Sequence, residues 1–280
     1  MRPLQKNQQK SVRTNQPTPY PEVNAVLQLL LSGVQAVLGD RFVGIYLYGS
    51  LASGDFDKDS DVDTVVVTDD DISGDRFSAL QALHARIAST DSVWATQLEV
   101  SYIPQYALRR YDPADRMHPH IDRGRGESLR VMQHDSDWVI QRHVLREQGV
   151  VVAGPPPQGL IDPVQPSALR WAVLEILRGW WAQRLHDPAQ LYEWGYQPYA
   201  VLTMCRILYT LKHGTIVSKP VAARWAQETL GERWASLIER AVIERHNPPS
   251  PVKSDYMNET LDFIRFTLEQ GSLSVSNNSC

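Results

Sequence analysis

Apolar residues in the first 160 positions alternate between short continuous runs and longer runs with helical spacing. Short apolar runs bounded by Gly, Ser, Asp or Pro are typical of buried strands, whereas apolar positions three and four apart are typical of amphipathic helices. We therefore predict strands over 42–48, 61–68, 96–103 and 150–155, and helices over about 22–38, 74–89 and 137–148. The first part of the chain is predicted to mix strands and helices in one domain.

Residues 104–136 depart from this pattern because they are rich in arginine and contain few apolar anchors. We predict a long irregular connection there. His118 and His120 lie within it, and we expect them to be exposed to solvent rather than bound to a metal.

After Pro166 the chain shows only helical patterns, over about 167–181, 197–213, 218–229, 232–244 and 255–269. The first of these carries Trp180 and Trp181, which we expect in the core. Strands mixed with helices, followed by helices alone, predict an α+β fold with two domains. We expect a flexible tail over 1–20, an α/β domain over 21–160, a helical domain over 161–270 and a second flexible tail over 271–280.

Composition narrows the class of partner. The 280 residues contain 28 Lys and Arg against 32 Asp and Glu, a formal net charge of -4, so nucleic acid is an unlikely main partner. Two cysteines provide neither a disulfide framework nor a zinc site. The N-terminus has no apolar signal region, and no apolar run approaches the roughly 18 residues of a membrane span. We expect a cytoplasmic protein with no membrane partner, and favour a monomer.

Candidate chemistry begins where the first predicted strand ends, at Gly49 and Ser50. A tight turn from a strand into a helix presents backbone N–H groups to phosphate oxygens. Glycine lets the backbone approach those oxygens closely, and Ser50 adds a hydroxyl. The turn is a candidate polyphosphate site, although a Gly-Ser pair alone has little specificity.

Three carboxylates follow on the next two predicted strands. Asp61 and Asp63 are two positions apart, so their side chains leave the same face of a strand. Two adjacent like charges disfavour each other unless a cation lies between them, and Mg²⁺ prefers such oxygen ligands. Glu99 is mid-strand on the third predicted strand and reaches the aspartates if the strands pair in order. It would then ligate a second metal or accept a proton from an attacking hydroxyl.

The combination of Gly-Ser, ten residues and Asp-x-Asp resembles the polymerase-beta-like nucleotidyltransferase superfamily. Within it the chain looks like the aminoglycoside (3'')(9) adenylyltransferases, which add AMP to streptomycin and spectinomycin. The resemblance covers about 42–104, 152–164 and 201–225. It implies a small mixed-sheet nucleotidyltransferase domain followed by an all-helical domain, with ATP as co-substrate and Mg²⁺ as cofactor.

The resemblance also assigns roles to individual residues. It implies that Asp61 and Asp63 bind magnesium and that Glu99 is the catalytic base. The residues that it implies contact the nucleotide are Gly49, Ser50, Ser60, Arg206 and Lys219. Read without the family, Arg206 and Lys219 would be ordinary charges on helix surfaces.

Residues around the start of the helix predicted over 197–213 are the candidates for binding the acceptor. Residues 192–199 contain four aromatics, and we take Glu193, Trp194 and Tyr196 as candidate substrate contacts. The family carries a carboxylate where this chain has Tyr196, so we expect streptomycin to be a poor acceptor and a compact aminocyclitol a better one. Two alternatives stay open: transfer to a protein or tRNA end, and a nucleotide-binding regulator without catalysis.

Overall fold

The computed structural model describes residues 16–193, 195–246 and 254–276. Its centre is a six-stranded mixed sheet in the order β5-β4-β3-β2-β1-β6. Strands β2 and β3 run parallel, and every other neighbouring pair is antiparallel. The strands are β1 (Phe42–Leu47), β2 (Val62–Thr68), β3 (Leu98–Pro104), β4 (Met117–Ile121), β5 (Arg130–Gln133) and β6 (Val150–Ala153). Together with the helical second half, this sheet confirms the predicted α+β class.

Side chains alternate along each strand, so apolar residues project from both faces of the sheet. Helices cover both of these faces. On one face, Ile45 and Leu47 of β1 pack with α1 and α3. On the other face, Tyr46 and Tyr48 belong to a core that continues through α5 into the helical domain. The helices before the domain boundary are α1 (Pro21–Leu38), α2 (Gly49–Ser53), α3 (Gly74–Ala88), α4 (Gln105–Arg109) and α5 (Asp137–Gln148).

Among the residues with described positions, Pro21–Arg41 is the only segment long and apolar enough to cross a membrane. We did not expect such a segment from the run lengths. Its apolar stripe, which includes Val23, Leu27 and Leu30, is almost fully buried against the first sheet face. That packing accounts for the hydropathy of α1 within a folded domain.

The prediction for residues 104–136 was wrong. The stretch contains α4 and the hairpin of β4 and β5, which extends the sheet beyond β3. His118 and His120 are buried rather than exposed, at 1% and 7% exposure, because both lie on β4. His120 faces Ser101 of β3, and its Nδ1 is 2.8 Å from the Ser101 hydroxyl. A strand that reads Met-His-Pro-His-Ile shows neither an apolar run nor a clear alternation, which explains the error.

The central helix of the helical domain is α8 (Tyr196–His213), which has buried residues on most of its sides. The other helices of this domain are α6 (Pro166–Ile176), α7 (Ala182–His186), α9 (Lys219–Thr229), α10 (Glu232–Glu244) and α11 (Ser254–Ser276). A π-helical turn at Leu177–Trp181 joins α6 to α7. Trp181 is buried as predicted, but Trp180 is 46% exposed, with the Arg184 guanidinium 3.9 Å from its ring centroid.

Both predicted tails need correction where the structure describes them. Thr18 is buried, and its hydroxyl donates to the Asn24 side chain at 2.8 Å, so this end of the first tail is packed. Helix α11 continues to Ser276, so 271–276 are helical. Residues 1–15 and 277–280 lie outside the described ranges.

Candidate active site

The turn after β1 approaches β2 closely. Gly49 begins α2 with a φ of +60°, and a Cβ placed on it would lie 1.7 Å from Oδ2 of Asp63. Both observations require glycine, because other L-residues rarely adopt a positive φ and no side chain fits this gap. The buried Ser50 hydroxyl beside it has no hydrogen-bond partner in the described part of the chain. The turn therefore offers close backbone approach and a hydroxyl with spare hydrogen-bonding capacity.

The parallel pairing of β2 with β3 brings the three carboxylates together. Asp63 is opposite Glu99 in the register, and Asp61 immediately precedes β2. One carboxylate oxygen from each of the three residues lies within 4.8 Å of the other two. The set consists of hard oxygen ligands converging on a small volume, which fits a divalent cation such as Mg²⁺.

The electrostatics of this cluster support the same interpretation. Burial, aided by the Asp61 carboxylate, raises the pKa of Glu99 to about 7. Burial, Asp61 and Glu99 together raise the pKa of Asp63 well above its usual range. The cluster thus disfavours negative charge, because the carboxylates repel one another and little water solvates them. A bound cation would remove that penalty.

Arg123 also belongs to the site, although the sequence did not point to it. Its Nη1 lies 3.4 Å from Oδ2 of Asp61, and its charge counteracts the raised pKa values of Glu99 and Asp63. The residue follows β4, and the next residue, Gly124, donates its backbone N–H to the Thr96 carbonyl at 2.8 Å. No local sequence pattern indicates that Arg123 lies at this site, because the pairing of β4 with β3 brings it there.

The helical domain contributes two cations from α8 and α9. Burial lowers the pKa of Arg206, and Asp63 opposes that shift. Burial also lowers the pKa of Lys219 to about 8, with Arg206 acting in the same direction and Asp61 and Asp63 opposing it. Both cations therefore lie within electrostatic range of the carboxylates, although more than 100 residues of sequence separate them from Glu99.

Ser60 is held within the loop before β2. It is 4% exposed, and its hydroxyl lies 3.0 Å from Oδ1 of Asp57, to which it donates. The Ser60 hydroxyl oxygen in turn accepts the backbone N–H of Asp57 at 3.0 Å. In this structure the Ser60 hydroxyl organises its own loop, whereas the Ser50 hydroxyl is unpaired.

The candidate acceptor residues are only partly brought together. Glu193 is exposed, and Trp194 lies outside the described residues. Tyr196 packs in an aromatic cluster, with its ring centroid 5.4 Å from Tyr199 and 6.3 Å from Trp181. Tyr199 connects this cluster to Lys219, a predicted nucleotide contact, because the Lys219 Nζ lies 5.1 Å from the Tyr199 ring centroid. The sequence marked Tyr199 only as one of four aromatics.

Known proteins resemble this chain in sequence and in fold. Residues 36–121 match the family model for the nucleotidyltransferase domain, and residues 159–270 match that for the aminoglycoside adenylyltransferase C-terminal domain. A spectinomycin 9-adenylyltransferase of Staphylococcus aureus is 26% identical over 215 residues, covering 74% of this chain and 79% of the relative. An aminoglycoside (3'') (9) adenylyltransferase of Escherichia coli is 25% identical over 256 residues, covering 87% of this chain and 94% of the relative.

The fold is also similar to a solved structure. A spectinomycin adenyltransferase from Enterococcus faecialis, crystallised with ATP and spectinomycin, superposes with a TM-score of 0.71 at 16% identity. The match covers 88% of this chain and 98% of that chain. The two family models lie in the order in which the two domains occur, and the relatives match across both. This chain therefore combines a nucleotidyltransferase domain with an aminoglycoside adenylyltransferase C-terminal domain, and it is an adenylyltransferase.

Proposed function

We propose that the protein transfers AMP from Mg²⁺-bound ATP to a hydroxyl of an aminoglycoside or aminocyclitol. The observation that carries the proposal is the convergence of Asp61, Asp63 and Glu99 within 4.8 Å, with Arg206 and Lys219 of the second domain in electrostatic range of the aspartates. A cluster of carboxylates with desolvated cations opposite suits a polyphosphate bound through a divalent metal.

The nucleotide would lie between the two domains. Gly49 allows the backbone to approach the phosphates, and the free Ser50 hydroxyl donates to a phosphate oxygen. Arg206 and Lys219 neutralise charge on the triphosphate as the pyrophosphate leaves. Mg²⁺, when bound by Asp61 and Asp63, supplies electrostatic stabilisation of the phosphate oxygens.

Glu99 has the properties of a general base for this reaction. A base works best when its pKa is near the operating pH, and burial raises that of Glu99 to about 7. The acceptor oxygen forms a bond to the α-phosphorus, and the bond from that phosphorus to the pyrophosphate oxygen breaks. The hydroxyl proton passes to Glu99. Because Glu99 is opposite Asp63 in the sheet, the base lies beside the metal ligands.

The aromatic residues near the proposed acceptor site, which we call the aromatic wall, favour a compact, weakly charged acceptor. Tyr196, Tyr199 and Trp181 form an aromatic cluster, and Glu193, the only acidic residue of the 192–199 stretch, is exposed. A polycation loses an ion pair where a carboxylate is replaced by a tyrosine, at a cost of about 2–5 kcal/mol if the pair is desolvated. We therefore propose spectinomycin as a better acceptor than streptomycin, and retain a monomeric cytoplasmic enzyme as the prediction.

The test is pyrophosphate release with MgATP and each drug at equal concentration, with mass spectrometry to detect the adenylylated acceptor. A higher kcat/KM for spectinomycin supports the proposal. A higher value for streptomycin refutes the role given to the aromatic wall. Adenylylation of neither drug, together with labelling of a protein or of tRNA by radioactive ATP, would favour the macromolecular acceptor instead.

A further inference from the structure

The loop that precedes β2 contacts the helical domain just after the C-terminal end of α10. Arg245, directly after α10, places its Nη2 3.1 Å from Oδ2 of Asp57. The Nδ1 of the next residue, His246, lies 3.1 Å from Oδ2 of Asp59 and 3.8 Å from Oδ2 of Asp57. The side chains of Arg245 and Asp57 are only 19% and 26% exposed, so this pair is better shielded from water than an ordinary surface ion pair.

Asp57 connects this contact to the active site. Its Oδ1 accepts the backbone N–H of Asp59 and the hydroxyl of Ser60, each at 3.0 Å. Its backbone carbonyl accepts the N–H of Ser60 at 3.1 Å. Ser60 is followed at once by Asp61, so the position of the first carboxylate depends on a loop that Asp57 organises.

The other side of the contact also leads to the nucleotide site. The positive charge of Arg245 contributes to the lowered pKa of Lys219, which shows that the two cations are close enough to interact. The loop is tied back to α2 by the N–H of Asp55, which donates to the Ser50 carbonyl at 3.1 Å. Asp57, Asp59 and His246 also present ligand atoms within 4.8 Å of one another. Because Arg245 already pairs with Asp57, we treat the group as an ion-pair network rather than a cation site.

We propose that Asp57 and Arg245 form a latch between the domains, assisted by Asp59 and His246. The latch holds loop 54–60 against the helical domain and so sets the distance between Asp61 on one side and Lys219 on the other. Its members are positioning residues that act on nucleotide binding through the loop. The inference rests on the proposed function in one respect only, namely that ATP binds between these two domains.

The test compares Arg245→Ala and Asp57→Asn with the wild type. Asparagine keeps an Oδ1 acceptor for Ser60 and Asp59 but removes the charge. We expect each variant to raise the Kd for MgATP about three- to tenfold, between the effects of exposed and buried ion pairs. The kcat at saturation should change less than about twofold, since the latch does not touch the reacting atoms. Arg245→Lys should restore most of the affinity for MgATP. The double variant, Asp57→Asn with Arg245→Ala, should bind MgATP as tightly as the single variant with the higher Kd, because both substitutions break the same ion pair.

Arg240→Ala is the matched control, because Arg240 lies on α10, close in sequence to Arg245, but pairs with Glu259 inside the helical domain. A second measurement needs no nucleotide. Spin labels at Asp75→Cys in α3 and Glu232→Cys in α10, with Cys280→Ser and the buried Cys205 retained, report the distance between the domains. We expect Arg245→Ala, but not Arg240→Ala, to broaden the distance distribution.

Equal ATP affinity and equal label distances in Arg245→Ala and Arg240→Ala would overturn the latch. A changed distance with unchanged ATP affinity would overturn its role in nucleotide binding. If the wild type neither binds ATP nor transfers AMP, the proposed function fails. The label distances, measured without nucleotide, still decide whether the contact holds the domains together.

Discussion

Replacing Gly49 with alanine tests the close approach between the turn after β1 and the carboxylate of Asp63. The new Cβ would lie 1.7 Å from Oδ2 and 2.7 Å from Cγ of Asp63, and real Cβ atoms essentially never approach closer than 3.0 Å. To restore even that contact, the carboxylate oxygen must move by about 1.3 Å, since atoms repel steeply below their contact distance. The substitution therefore displaces a proposed metal ligand without removing it.

The size of the effect follows from that displacement. A misplacement of about 1 Å in a catalytic constellation costs about 100-fold in rate, which corresponds to about 2.7 kcal/mol of activation free energy. Alanine at a φ of +60° adds a backbone cost of about 1–2 kcal/mol, which lowers the free energy of unfolding. We expect Gly49→Ala to lose at least about 100-fold in kcat/KM while remaining folded.

Gly74→Ala is the matched control. Gly74 is the first residue of α3, as Gly49 is of α2, and has a φ of +57° with no atom within 4 Å of the added Cβ. It should show the backbone cost in thermal unfolding but keep wild-type turnover. The assay is steady-state pyrophosphate release with MgATP and spectinomycin, below the unfolding temperature of both variants. Comparable kcat/KM values for the two variants would refute the argument from Asp63.

Three further outcomes are expected. Asp63→Asn should abolish transfer, yet hold or raise the free energy of unfolding, because its raised pKa shows that the folded protein disfavours the charge; appreciable turnover in Mg²⁺ would contradict this. Glu99→Gln should reduce kcat by about 100- to 10,000-fold with little change in the Kd for ATP; poor binding with normal saturated turnover would indicate a binding role instead. The third concerns His134, whose pKa burial lowers from 6.5 to about 2. Below pH 6.5 the unfolded chain binds a proton at this residue that the folded protein does not bind. The free energy of unfolding therefore decreases as the pH is lowered, by about 2 kcal/mol at pH 5 from this residue alone. His134→Phe, which can keep the stacking on Trp138 at 4.3 Å, should remove that share of the loss in urea unfolding at pH 7.5 and pH 5; an unchanged difference would refute the assignment.

The proposed chemistry was largely accessible to sequence reasoning because it is carried by local patterns. Strands β1 and β2 were predicted because they contain continuous apolar runs. Strand β3 was predicted although its polar residues, Gln97, Glu99 and Ser101, alternate with apolar ones. Asp61, Asp63 and Glu99 lie at or next to the starts of β2 and β3, so the parallel register between these strands brings the three together. The pairing of β1 with β2 brings Gly49, which follows β1, to Asp63. Arg206 and Lys219 needed the family resemblance, since a charge on a helix carries no signal of what it faces.

The sequence by itself determined the elements whose signals are local. These include the amphipathic helices, the apolar strands, the change to an all-helical second half and the glycine turn. Only the tertiary structure decided which distant segments meet. It placed Arg123 on Asp61, buried His118 and His120 in the sheet, and brought His246 to Asp59 across 187 residues. Such contacts arise from strand pairing and domain packing. Their free energy depends on burial and on charge partners that no window of sequence contains.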